Sequence, residues 1–146
     1  MRHPLRVLAL ACALSLTPAC AAIGAPQFAN PVAAAHTIDQ RAYALLDSYA
    51  AVIEEATDVV RDPGAPIAFK RAMGQAERAA TPAAETLEIT VAAYVRARAD
   101  FDASQGQTQL QRTTAALTIA AQRLNQAIAA AQGPIRDLQD LVRVRH

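Results

Sequence analysis

Apolar residues recur at alternating intervals of four and three along the C-terminal part of the chain. This is the a/d spacing of a helix that packs along its whole length against other helices. It continues across Gly133-Pro134 without a slip, so the pattern predicts a helix over residues 108–145 that is kinked or broken at Pro134. The positions are Leu110, Thr114, Leu117, Ala121, Leu124, Ile128, Ala131, Ile135, Leu138 and Val142.

Two earlier stretches repeat the same spacing and predict helices over residues 32–61 and 66–103. A turn rich in proline and glycine at residues 62–66 separates them. Residues 104–107 form the second predicted turn, and Thr108 is the predicted N-cap of the third helix. The sequence therefore predicts an all-α fold, an antiparallel up-down-up three-helix bundle that packs like a coiled coil.

The three apolar seams also predict which residues lie at the same level of the bundle. When the chain is folded back at both turns, a small residue faces larger ones in each layer, as close packing requires. Two of these predicted layers are Ala42–Leu87–Leu124 and Tyr49–Ala80–Ala131.

Residues 1–20 have the pattern of a bacterial secretory signal peptide. Arg2 and Arg6 make a positive start, Val7–Leu16 is an apolar core, and small residues follow. The apolar core is too short to span a membrane. We therefore expect export and exclude this segment from the fold.

The end of this leader, Thr17-Pro18-Ala19-Cys20, resembles the lipobox of bacterial lipoproteins, although Thr17 stands where leucine is usual. The resemblance implies that Cys20 is lipidated and becomes the new N-terminus. The absence of aspartate directly after Cys20 implies the outer membrane as the destination. Ordinary signal-peptide cleavage at Ala19-Cys20-Ala21 is the alternative.

Residues 21–31 contain two prolines and one glycine without helical periodicity, so they read as a flexible tether. Residues 32–146 then form the single helical domain. The composition agrees with an all-α fold, since 53% of the 146 residues are apolar, many of them alanine, and 4% are aromatic. A formal net charge of +1 does not indicate nucleic-acid binding.

The two cysteines, Cys12 and Cys20, leave no pair for the mature domain, so we expect neither an internal disulfide nor a cysteine metal site. The sequence contains no nucleotide-binding, zinc-protease, di-iron or nucleophile motif. We therefore predict no catalytic residue, no cofactor and no metal ligand.

Several residue types that can carry chemistry have a simpler structural interpretation. His36 is interpreted as a capping or solvent-facing residue. An acidic stripe could collect a hard cation, but a solvated helix face is the favoured interpretation. Basic residues near the helix ends could meet an anionic partner, although a basic residue there also complements a helix C-terminus. The remaining candidates are Glu54, Asp58 and Asp62 in the stripe; Lys70, Arg71, Arg143 and Arg145 among the basic residues; and Tyr49, Met73 and Tyr94 in the predicted core.

These observations favour a non-enzymatic, exported envelope protein. In this interpretation it is a helical spacer or adaptor in the periplasm, tethered to the outer membrane through Cys20, with an envelope protein or another cell-envelope component as its partner. The alternative is a soluble periplasmic ligand-binding or chaperone-like bundle with a groove opened by Pro82 and Pro134.

Overall fold

The computed structural model describes residues 37–144 as three α-helices joined by two short turns. They are α1 (Ile38–Arg61), α2 (Ile67–Asp102) and α3 (Gln107–Arg143), and each helix contacts the other two. Residues 37–144 contain no strand. The predicted all-α three-helix bundle is confirmed, and the bounds of α2 and α3 lie within two residues of those predicted.

Helix α1 begins at Ile38, six residues later than the sequence pattern predicted. Thr37 is its N-cap and has extended backbone angles, φ −112° and ψ 160°. The backbone N–H of Gln40 donates to the Thr37 hydroxyl at 3.3 Å, and the Thr37 N–H donates to the Gln40 side chain at 3.1 Å. This reciprocal capping box satisfies two of the free N–H groups at the helix start.

Each turn is closed by a residue with a specific backbone or side-chain role. Asp62 ends α1, and its carboxylate accepts a hydrogen bond of 2.8 Å from the backbone N–H of Gly64. Gly106 precedes α3 with φ +86°, a conformation that residues with a side chain rarely adopt. Since Gly106 is the last residue outside α3, the predicted N-cap, Thr108, lies inside the helix instead.

The core follows the predicted seams on all three helices. Among residues 37–144, no polar or charged side chain is buried, so packing is entirely apolar. Three further residues are buried although they are not predicted seam positions: Ala84, Val91 and Ala127. Each of them is next in sequence to a seam position. The buried residues are Ala42, Leu45, Val52, Ala56, Val59, Met73, Ala80, Ala84, Leu87, Val91, Leu124, Ala127, Ile128, Ala131, Ile135, Leu138 and Val142.

Both internal prolines lie within continuous helices, Pro82 in α2 and Pro134 in α3. The residues that follow Pro134 stay in the core: Ile135 and Leu138 are fully buried, and Val142 is 2% exposed. A break at Pro134 is therefore excluded, because its apolar continuation remains packed against the bundle.

Two side-chain hydrogen bonds join α3 to its neighbours. Gln139 Nε2 donates to Ser48 Oγ, a pair 91 residues apart, whereas the predicted layers place partners on α1 and α3 82 residues apart. Ser104 Oγ lies 2.7 Å from Thr113 Oγ1. Gln139 has a long side chain and Ser104 lies in the turn after α2, so these contacts join the elements without changing the predicted layers. The members of one predicted layer are all fully buried: Ala42, Leu87 and Leu124.

The long hairpin of α2 and α3 extends past the start of α1. Tyr49 of α1 contacts Thr81 of α2, with 2.8 Å between their hydroxyl oxygens. Because α1 and α2 are antiparallel, Ile38 lies level with about residue 92. Arg98, four residues before the end of α2, still contacts Asp39 in the first turn of α1 at 3.6 Å, so the end of α2 extends past the start of α1.

Candidate functional site

The predicted lipidation site, Cys20, lies outside the described residues, as do the tether 21–31, His36 and Arg145. The lipid anchor and the role of His36 therefore stay predictions. The other residues singled out from the sequence fall within 37–144.

The acidic stripe does not form a metal site in the described residues. Asp62 uses its carboxylate to shape the first turn through Gly64, while Glu54 and Asp58 are exposed on the surface of α1. Within residues 37–144, no group of three or more His, Cys, Asp or Glu side chains is arranged to hold a metal ion.

The predicted core residues Tyr49, Met73 and Tyr94 all pack in the bundle. Met73 is fully buried, and both tyrosines are half-buried against the core. The Thr81 hydroxyl donates to the Glu77 carbonyl at 2.9 Å. Since a hydroxyl has a single proton, Tyr49 must be the donor in its bond with Thr81. This hydrogen bond joins α1 to α2 and gives Tyr49 a structural role.

The small residues around Pro134 do not create a groove between the packed helices. Ala131 is fully buried in the core, whereas Ala130 and Gly133 are exposed on the outer surface. A methyl group at Gly133 would meet nothing within 4 Å. An open polar depression lies instead at the second turn, lined by Gln105, Gly106, Gln107, Thr108, Gln109 and Arg112.

The basic residues near the helix ends are surface groups or local partners. Arg143 lies in the last turn of α3, and its guanidinium is 3.8 Å from the Asp140 carboxylate. Arg71 is exposed and Lys70 is half-buried in the first turn and a half of α2. Their arrangement does not define a shared anion site.

Near the start of α1, the hairpin of α2 and α3 has an apolar surface. This surface lies on the side of the hairpin that α1 contacts. Thr81 and Gln139 contact α1 and so identify the α1-facing sides of α2 and α3. Val95 lies two heptads after Thr81 in α2, and Leu110 lies about eight helical turns before Gln139 in α3. Residues separated by a nearly whole number of turns lie on the same face of a helix. Val95 and Leu110 therefore face the side of the hairpin that α1 contacts, and they are 40% and 44% exposed.

Half-buried seam residues form the floor between these two exposed residues. Ile119, which is 50% exposed, lies nine residues from Leu110 and thus on the opposite face of α3. We call this surface the apolar groove; its residues are Tyr94, Val95, Phe101, Leu110, Leu117 and Ala121.

A charged pair lies at the edge of the groove, where α1 begins. Arg98 Nη1 is 3.6 Å from Asp39 Oδ2. The hydrogen bond with the Thr37 side chain lowers the pKa of Asp39 from its usual value of 3.8, and backbone N–H groups and Arg98 lower it further, against the opposing effect of burial. The other oxygen, Asp39 Oδ1, is inaccessible to solvent and has no hydrogen-bond partner among residues 37–144.

Sequence reasoning assigned these residues, except Val95, to the packed seams and did not identify an open surface. The signal that could have revealed it is Thr37-x-x-Gln40, a capping-box pattern that starts α1 late. A first helix of 24 residues cannot cover neighbours of 36 and 37 residues.

None of the three helices in the described part of the chain is apolar enough over sufficient length to cross a membrane. Comparison of the chain with protein-family models, with curated proteins and with solved structures found no match.

Proposed function

We propose that this protein is a non-enzymatic envelope protein, a helical spacer or adaptor that is exported and tethered to the outer membrane through a lipid on Cys20. The leader pattern at residues 1–20 and its lipobox-like end support export and anchoring. The partner would be an envelope protein or another cell-envelope component.

The observation that carries the adaptor role is the apolar groove, whose residues Val95 and Leu110 are 40% and 44% exposed. Exposed apolar residues grouped on one side of a protein commonly mark an interaction surface. Elsewhere, the larger candidate side chains serve packing: Met73 is fully buried, and Tyr49 bonds to Thr81. Because these side chains are used in packing inside the bundle, the proposed role depends on contacts at its surface.

A ligand-binding or chaperone-like bundle opened at the prolines receives less support. Ala131, Ile135 and Leu138 surround Pro134 along the seam and are fully buried. A ligand entering there would have to displace close-packed residues, which costs several kcal/mol in typical cores.

The substitution Cys20→Ala tests the anchor in the native host. It removes the lipidation site but keeps a small residue at position 20, between Ala19 and Ala21, so ordinary leader cleavage is still permitted. We expect wild-type protein in the membrane fraction and the Cys20→Ala protein in the soluble fraction, measured by fractionation and immunoblotting.

Cys12→Ala is the matched control, because Cys12 lies in the apolar core of the leader and should leave with it. This variant should remain in the membrane fraction. Wild-type protein found in the soluble fraction, or a Cys20→Ala protein that stays with the membrane after its leader is removed, would contradict the proposal.

A further inference from the structure

We propose that α1 is a detachable helix, which separates as a unit from the hairpin of α2 and α3 by a change at the first turn, residues 62–66, while the hairpin stays folded. This opening belongs to residues 37–144 and does not itself require a lipid. Its consequence, a change in how far the protein reaches from the membrane, rests on the proposed function.

The apolar core is distributed unequally over the three helices. The largest fully buried side chains all lie on the hairpin; they are Met73, Leu87, Val91, Leu124, Ile135 and Leu138. Two of the five buried residues of α1 are alanines, Ala42 and Ala56, which remove less apolar area from water than leucine or methionine. Helix α1 also has 24 residues, whereas α2 has 36 and α3 has 37. Separating α1 therefore exposes less apolar surface than separating the two helices of the hairpin.

Polar side-chain pairs supply part of the attachment of α1 to the hairpin. The pairs are Tyr49–Thr81, Ser48–Gln139 and Asp39–Arg98. Water replaces such hydrogen bonds when the helices separate, so each contributes little net free energy. The Asp39–Arg98 pair contributes still less, because its side chains are 21% and 51% exposed. This part of the interface costs little to break.

The first turn has the features of a joint between two rigid helices. Pro63 and Pro66 cannot continue a helix, so α1 and α2 remain separate elements when α1 moves. The turn is shaped by two local hydrogen bonds to Asp62: the Gly64 N–H donates to its carboxylate at 2.8 Å, and the Ala65 N–H donates to its carbonyl at 3.3 Å. Neither bond involves α3. Changes in a few backbone angles of such a connection are enough to swing a helix.

Separation of α1 changes the length of the molecule. At 1.5 Å per residue, α1 is about 36 Å long and α2 is about 54 Å long. In the closed bundle, the first turn lies about 36 Å from the start of α1; with α2 continuing outward instead of folding back, the reach becomes about 90 Å. Because α1 is the first helix of the described chain, a lipid at Cys20 would attach the protein on the α1 side. The spacer would then have a short closed form and a long open form.

Hydrogen–deuterium exchange of the backbone amides, followed by mass spectrometry of the protein purified from its host, tests the opening. We expect the amides of residues 42–61 in α1 to exchange about tenfold or more faster than the slowest amides of α2 and α3. A common rate for the slowest amides of all three helices would show all-or-none unfolding and overturn the proposal. Faster exchange in either helix of the hairpin than in α1 would overturn it as well.

The substitution Gly106→Ala distinguishes stepwise opening from all-or-none unfolding. Gly106 lies in the turn within the hairpin and has φ +86°, so alanine strains the hairpin without touching the contacts of α1. We expect the slowest hairpin amides to exchange about fivefold or more faster in this variant, with α1 at the wild-type rate. Equal acceleration of α1 and the hairpin would show that they unfold together and would contradict a detachable α1.

Tyr49→Phe tests the contacts that hold α1 closed, because it keeps the ring and removes the hydroxyl that donates to Thr81. Exchange of the α1 amides should accelerate roughly two- to tenfold, the effect of losing one ordinary hydrogen bond. Tyr43→Phe is the matched control, since Tyr43 lies on the same helix and is 47% exposed; its exchange should equal that of wild type. Circular dichroism verifies that each variant is folded. Equal α1 rates in both variants would overturn the assignment of Tyr49–Thr81 as a contact that closes the bundle.

The opening and the lipid anchor fail separately. The exchange measurement is repeated on the Cys20→Ala protein, which has no lipidation site. If this protein remains with the membrane but its α1 exchanges faster than its hairpin, the opening stands and the lipid anchor does not. If Cys20 is lipidated and all three helices share one rate, the anchor stands and the opening does not.

Discussion

Several groups at the start of α1 favour the charged form of Asp39. The Thr37 side chain contributes most, followed by the backbone N–H of Asp39, by Arg98 of α2 and by the backbone N–H of Gln40. Burial acts in the opposite direction, but the net effect lowers the pKa of Asp39 below 3.8. A carboxylate near a helix N-terminus also interacts favourably with the helix dipole.

The substitution Asp39→Asn should therefore destabilise the protein in a pH-dependent way. A carboxyl group with a lowered pKa in the folded state contributes its full stabilisation above its unfolded pKa, near 3.8, and loses it as pH falls through the folded value. We expect wild type to be more stable than Asp39→Asn at pH 7, with the difference shrinking below about pH 3.8. Urea unfolding at several pH values measures this.

Asp47→Asn is the control, because Asp47 is exposed in the middle of α1. Its effect should be smaller at pH 7. A difference between wild type and Asp39→Asn that is the same at pH 2 and pH 7 would show that the charge of Asp39 is not what stabilises the start of α1.

At the scale of the helices, two glycines have opposite roles. Gly133 lies inside α3 and has free space where a methyl group would be, so Gly133→Ala should raise the free energy of unfolding by about 0.5–1 kcal/mol. Gly106 has φ +86°, so Gly106→Ala should lower it by about 1–3 kcal/mol. Chemical denaturation distinguishes the two. A neutral Gly106→Ala would mean that the second turn does not need this backbone conformation.

Helix boundaries were predictable where the sequence contains strong turn signals. Pro63, Gly64 and Pro66 mark the first turn, and Gly106 marks the second, so the facing ends of the helices were placed within two residues. The start of α1 was not, because Ala35 continues the apolar spacing and conceals the Thr37 cap. Spacing reports which residues can pack together, whereas the cap decides where the helix begins.

At the scale of the whole molecule, the fold class and the core followed from the seams. A four-three pattern repeats every seven residues, so a helix moved by one heptad still presents apolar residues to its neighbours. The contacts of Ser48 with Gln139 and of Ser104 with Thr113 are single polar contacts that hydrophobic spacing does not encode.

The apolar groove depends on this combination of a late start of α1 and a long hairpin. Leu110 lies on the predicted seam of α3 and yet is 44% exposed. The apolar pattern alone does not distinguish it from a core residue, whereas the capping box at Thr37 indicates that α1 starts late.

The central claim, a helical body tethered to the envelope by a lipid, is tested most directly by mass spectrometry of the mature N-terminus. For protein purified from its own host, we predict that the first residue is Cys20 and that it carries covalently attached acyl chains. An unmodified N-terminus at or beyond residue 20, or an intact leader, would contradict the tethered spacer.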